Sequence, residues 1–195
     1  MKGIKLFAMA VFSTAFLSFT PLAKKIIVID AGHGGNDTGA RRDGLSEKEI
    51  TLQIAKEIQQ YNKEQDAFEV VLTRDSDNDL SLAERVAKIN ELSPEMVISL
   101  HLNSSPQTET PNTGLEIYTQ NSEKSKKLAE KISAKFTVHS IENRNLHILR
   151  ESKVPAVLVE LGFINNIRDR NYISSEKGRK EIAEKFTEVF KTYTY

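Results

Sequence analysis

From residue 26 onward, short unbroken apolar runs alternate with stretches whose apolar residues recur every three to four positions. IIVID (26–30), FEVVLT (68–73), MVISLHL (96–102), LEIYT (115–119), LHIL (146–149) and AVLVELGF (156–163) read as strands, and several are apolar enough to be covered on both faces. Helical patterns lie between them. Ser46 and Glu49 form an S-x-x-E capping box ahead of Ile50, Ile54, Ile58 and Tyr61, with Leu45 placed to staple onto Ile50. Ser81 and Glu84 repeat the box ahead of a face made by Leu82, Val86 and Ile89. Residues 122–136 turn Leu128, Ile132 and Phe136 inward, and a last helix over roughly 176–192 buries Ile182, Phe186, Val189 and Phe190. Strands alternating with helices predict one α/β domain, a twisted and mostly parallel sheet flanked by helices.

Composition narrows the chemistry. The 195 residues contain no Cys, which excludes a disulfide scaffold, a thiolate metal site and a cysteine nucleophile. Any metal must be held by carboxylates and by the four histidines His33, His101, His139 and His147. Lys+Arg and Asp+Glu both number 27, so the charge balance points to neither nucleic acid nor an anionic membrane. Two lysines precede the apolar stretch LFAMAVFSTAFLSF, which is too short for a comfortable membrane span and right for a secretory core region. Ala23 offers a cleavage point. The expectation is an export signal over 1–23 and a soluble domain over 24–195, with no membrane span after cleavage.

In open α/β sheets, functional groups gather beyond the carboxyl ends of the strands. His33 follows IIVID by three residues, His101 ends VISLH and Glu160 ends AVLVE. Glu47 stands directly after the Ser46 cap, where the positive helix terminus favours a carboxylate. Two histidines and one carboxylate make a zinc site with its fourth position open, the catalytic arrangement. Each residue also has a plainer reading: His33 as a turn residue, His101 as a core histidine, Glu47 as a helix-terminal acid. Glu160 is the least ordinary, because a carboxylate closing an apolar strand is expensive unless a charge faces it. A dinucleotide site is not indicated, since Asp37 stands where the third glycine of that fingerprint belongs. His139 and His147 read as surface or strand-face residues. On these residues alone, the metal site and the structural readings stand side by side.

The motifs IVIDAGHGGNDTGA, GLSEKEITL, TRD (73–75), SLHLNSS and PAVLVELGFINN, in this order, resemble those of the zinc-dependent N-acetylmuramoyl-L-alanine amidases. The resemblance runs from about Lys25 to the final helix. It implies zinc held by His33, Glu47 and His101, and a catalytic glutamate at Glu160. Ala31 replaces a common proline, Asn165 and Asn166 stand where Ser-Asn is usual, and NRNLHILR (143–150) is several residues shorter than in relatives. Arg150, within that stretch, reads as a structural ion-pair partner.

The implied reaction is hydrolysis of the amide between the lactyl group of N-acetylmuramic acid and the L-alanine of the stem peptide. Zinc would activate water, and Glu160 would move its proton to the leaving amine. The implied partner is peptidoglycan, in the periplasm, cell envelope or medium. Two other readings share these residues: a non-enzymatic wall-binding or activator protein on the same fold, and a zinc peptidase or deacetylase of the wall. The interval between His101 and Glu160 is filled by expected elements and leaves no spare helix to plug the site. A monomer active without an obligatory activator is therefore expected.

Overall fold

The computed structural model describes residues 24–66 and 68–194; the expected export signal over 1–23 lies outside them. In chain order the elements are β1 (Ile26–Ala31), a small hairpin of β2 (Arg41–Arg42) and β3 (Leu45–Ser46), α1 (Glu47–Gln65), β4 (Glu69–Leu72), α2 (Leu82–Leu92), β5 (Met96–Asn103), β6 (Leu115–Thr119), α3 (Glu123–Ser133), β7 (Val138–Asn143), α4 (His147–Glu151), β8 (Ala156–Phe163), α5 (Ile167–Ser174) and α6 (Glu176–Thr194). The main sheet has the order β4-β1-β5-β8-β6-β7. Its pairings are parallel except for β6 against β8, so β6 and β7 run opposite to the other four strands. Among the described residues, no helix is long and apolar enough to cross a membrane.

Successive side chains of a strand point to opposite faces, and each face of this sheet has its own core. Ile27, Ile29, Ile98, Leu100 and Val159 belong to the larger one, with Ile50, Ile54 and Ile58 of α1, Leu128 and Ile132 of α3, and Phe186 and Phe190 of α6. Val28, Val97 and Leu158 face the other way, with Val86 and Ile89 of α2 and Ile148 and Leu149 of α4. The same alternation carries Asp30, Ser99, His101 and Glu160 onto this second face. Its helices are short, 11 residues in α2 and 5 in α4, against 19 each in α1 and α6. The carboxyl end of the second face therefore stays open beyond them.

Several expectations change. LHIL does not form a strand: Leu146 precedes α4, and Ile148 and Leu149 are buried on a helical turn. The strand in this region is β7, an edge strand whose exposed residues gave no apolar alternation. Helix α5 was also not expected. Leu82 does not join the buried face of α2 and is 56% exposed. The second capping box forms as read, with Ser81 and Glu84 bonding reciprocally. The first does not: the Ser46 hydroxyl donates to Glu49 Oε2 instead. The leading N–H groups of α1 are met by the glycine-rich loop, Glu47 N bonding Ala40 O at 2.9 Å and Lys48 N bonding Thr38 O at 3.2 Å. That substitution draws the loop onto the start of α1.

Candidate active site

The loop after β1 must pass close to β5, and glycine permits it. A Cβ at Gly32 would lie 2.5 Å from His101 Cε1 and 2.7 Å from Leu100 O. At Gly39, where φ is 60°, a Cβ would lie 2.5 Å from Glu47 Oε2. Two buried arginines clamp the same loop. Arg74 donates to Ala31 O at 2.9 Å and to Gly32 O at 2.8 Å. Arg85 donates to Ala31 O at 2.7 Å and to His33 O at 2.5 Å. Arg85 also pairs at 2.8 Å with the buried Asp30, which accepts from Thr73 and Ser99 at 2.6 Å each. Burial opposes ionisation of Asp30, but the Arg85 charge and these hydrogen bonds hold its carboxyl below the usual range.

On this support His33, Glu47 and His101 come together, one ligand atom from each lying within 4.8 Å of the others. His33 Nε2 and His101 Nδ1 both lie 2.9 Å from Glu47 Oε1. Glu47 is further fixed by Leu102 N on the same oxygen and by Ala40 N on Oε2, each at 2.9 Å. Despite burial, the two imidazoles hold its carboxyl well below the usual range. His33 Nδ1 donates to Asp37 Oδ2 at 2.7 Å, which orients the ring. Burial alone would lower the His33 pKa, but Glu47 and Asp37 push it up to about 9. The adjacent parallel strands β1 and β5 bring the two histidines to one edge, and the start of α1 adds Glu47.

Glu160 is the residue paired with His101 across β5 and β8, and with Glu116 across β8 and β6. Its Oε2 is buried without a hydrogen-bond partner. Burial, opposed by the His101 charge and aided by Glu47 and Glu116, pushes the carboxyl up to about 7. A carboxyl held there can both take and return a proton near neutrality. Glu116 accepts from Asn103 Nδ2 and Tyr118 Oη, both at 2.8 Å.

Of the other histidines, His139 is exposed on β7, while His147 opens α4 and lines a cleft that His33 and His101 also line. Arg150 pairs with Glu151 at 2.7 Å, an ordinary ion pair as expected. Asp37, Arg74, Arg85 and Asp30 were given no role by sequence reasoning. TRD pointed at Arg74 as a motif residue, and Asp37 stood four positions after a candidate ligand, but neither spacing revealed the contact.

Two imidazoles and a carboxylate on an open sheet edge, beside a carboxyl poised near neutrality, have the make-up of a metal-dependent hydrolase centre. The donor set suits a borderline divalent ion such as zinc. The chain belongs to the N-acetylmuramoyl-L-alanine amidase family, whose profile matches residues 27–191. It is similar to the N-acetylmuramoyl-L-alanine amidase LytC of Bacillus subtilis, 34% identical over 84% of this chain but only 34% of that longer protein. It also resembles the crystal structure of an N-acetylmuramoyl-L-alanine amidase from Clostridium difficile 630, with a TM-score of 0.83 and 31% identity, over 89% of this chain and 98% of that one. The Clostridioides difficile CwlD amidase, solved in complex with the GerS lipoprotein, matches with a TM-score of 0.80 and 25% identity, over 88% of this chain and 98% of that one.

Proposed function

We propose that this chain is a zinc-dependent peptidoglycan amidase that hydrolyses the bond between the lactyl group of N-acetylmuramic acid and the stem-peptide L-alanine. The observation that carries this reading is the His33, Glu47 and His101 group gathered within 4.8 Å, with Glu160 paired to His101 on the next strand. His33, Glu47 and His101 would hold the zinc. When bound, it supplies a Lewis acid for the scissile carbonyl and acidifies water.

Glu160 takes the proton of the attacking water and delivers it to the leaving amine nitrogen. Burial of Oε2 without a partner suits a group that must hold a proton in one half of the cycle and release it in the other. Asp37 keeps the His33 ring turned, and the Arg74 and Arg85 clamp keeps the loop that carries it in place. Residues 1–23 direct export, and 24–195 form the catalytic domain, acting in the periplasm, the cell envelope or the medium. The open second face supports a monomer that works without an activator.

The test is digestion of purified peptidoglycan by zinc-loaded 24–195, with new ends identified by mass spectrometry. Lactyl-terminated glycan and intact stem peptides are expected. Trimmed peptides would make it a peptidase, freed amino sugars a deacetylase, and no product a binding protein. Activity only after cell extract is added would overturn independence from an activator.

A further inference from the structure

The metal group is flanked by two surfaces of different chemistry. On one side β6 and β7 extend the sheet as a charged shelf. There Glu116 gathers Asn103 and Tyr118, and Arg144 lies over the Tyr118 ring at 5.1 Å while pairing with Glu142 at 2.7 Å. On the other side, a cleft of about 500 Å³ opens between α2 and α4. That volume falls in the range, about 300–1,000 Å³, of clefts that take small ligands. It is reached from Gly32, His33 and His101, and Glu160 is not among its lining residues. Its walls are Leu80 and Leu82 at the start of α2, Leu146 and Ile148 around α4, and Leu158 from the floor.

Leu82 is the informative residue. The helix pattern assigns it to the core, yet it stands 56% exposed at the cleft. His147 adds a polar handle. Its Nδ1 lies 3.3 Å from Arg150 Nη2, which can only donate, so Nδ1 accepts and the other ring nitrogen carries the hydrogen.

We propose that this cleft is the sugar-side subsite, binding the N-acetylmuramoyl unit of the substrate, with Leu82 and His147 as its specificity-determining residues. The inference rests on the amidase reading above. Glu160 must reach the amine nitrogen, so the stem peptide leaves on the Glu160 side, towards the charged shelf. The acyl half of the bond then lies on the His33 side, where the cleft opens. Its chemistry matches: the lactyl methyl, the acetyl methyl and the C–H face of the pyranose are apolar, and the acetamide carbonyl can take the His147 N–H. The stem peptide carries charges, and the shelf carries Glu116, Glu142 and Arg144.

Two measurements test this. The first compares kcat/KM of the zinc-loaded protein on N-acetylmuramoyl-L-alanyl-D-isoglutamine and on lactoyl-L-alanyl-D-isoglutamine, which lacks the sugar. The sugar-bearing substrate is expected to be preferred by tenfold or more, and Leu82→Ala and His147→Ala should each cut that preference severalfold. Equal use of both substrates, or variants that lower both in parallel, would overturn the proposal. The second uses metal-free protein and the N-methylamide of N-acetylmuramic acid, read by methyl NMR. Shifts at Leu82, Leu146 and Ile148 are expected; shifts elsewhere only, or none, overturn it. Binding is read without turnover, so failure of the amidase reading leaves this result interpretable.

Discussion

His101 and Glu160 are partners in the parallel register of β5 and β8, so the imidazole and the carboxyl stand one strand spacing apart. Because Glu160 Oε2 has no hydrogen-bond partner, an amide can replace the carboxyl without stranding a donor or acceptor elsewhere. Glu160→Gln is expected to keep stoichiometric zinc and lose about 10²–10⁴-fold in hydrolysis. Metal analysis beside a wall-digestion assay checks both halves, and loss of zinc would move Glu160 into the ligand set.

The same carboxyl makes stability depend on pH. Its folded pKa of about 7 lies above the ordinary 4.5, so the fold favours the protonated form. Below about pH 4.5 both states are protonated and Glu160 costs nothing; above about pH 7 the cost of the buried charge is complete. Metal-free Glu160→Gln should therefore be more stable than the parent at pH 8, by about 1–3 kcal/mol, with the gap closing towards pH 4. Urea unfolding at the two pH values measures it. An equal gap at both would refute the assignment of the shift.

Metal uptake should release protons. With its pKa raised to about 9, metal-free His33 is protonated at pH 7 and must lose that proton to become a ligand. Apparent zinc affinity is expected to rise about tenfold per pH unit up to about pH 9. Calorimetry in buffers of different ionisation enthalpy counts the protons. His33→Ala and His101→Ala should each lose metal and activity together, since two ligands hold zinc poorly.

Behind the site, Asp30 and Arg85 form a buried ion pair at 2.8 Å. Arg85→Ala leaves the Asp30 charge unmatched and releases the His33 carbonyl, while Ala31 O keeps its bond to Arg74. The expected cost is about 3–5 kcal/mol in denaturant unfolding. A loss below about 1 kcal/mol would show that the pair is dispensable.

The sequence displayed what repeats along the chain and hid what closes across it. Ile50, Ile54 and Ile58 marked α1 by their spacing, and the apolar runs ending near His33, His101 and Glu160 marked one edge of the sheet. LHIL misled because four residues are too few to separate strand from helix by period. β7 was missed because only its inner neighbour β6 pairs with it, so its sequence did not need to be apolar. Ser46 matched a capping box, but carbonyls at Thr38 and Ala40 had already met the helix N–H groups. Asp37 on His33, Arg85 on Asp30 and the exposure of Leu82 depend on contacts between distant segments, which spacing does not reveal.

His33 itself has a φ of 59°, the left-handed conformation that costs a residue with a Cβ about 1 kcal/mol. Its neighbours Gly34 and Gly35, also at positive φ, meet no such penalty from a Cβ of their own. On the proposed zinc reading, a side chain that this backbone conformation disfavours is kept where an imidazole ligand is needed. Under that reading, metal binding and stability pull this position in opposite directions. Comparing His33→Gly with His33→Ala isolates that tension: both forfeit the ligand, and the glycine variant should be the more stable by about 1 kcal/mol. Variants selected for thermostability alone would be expected to drift away from histidine here, and lose the enzyme in doing so.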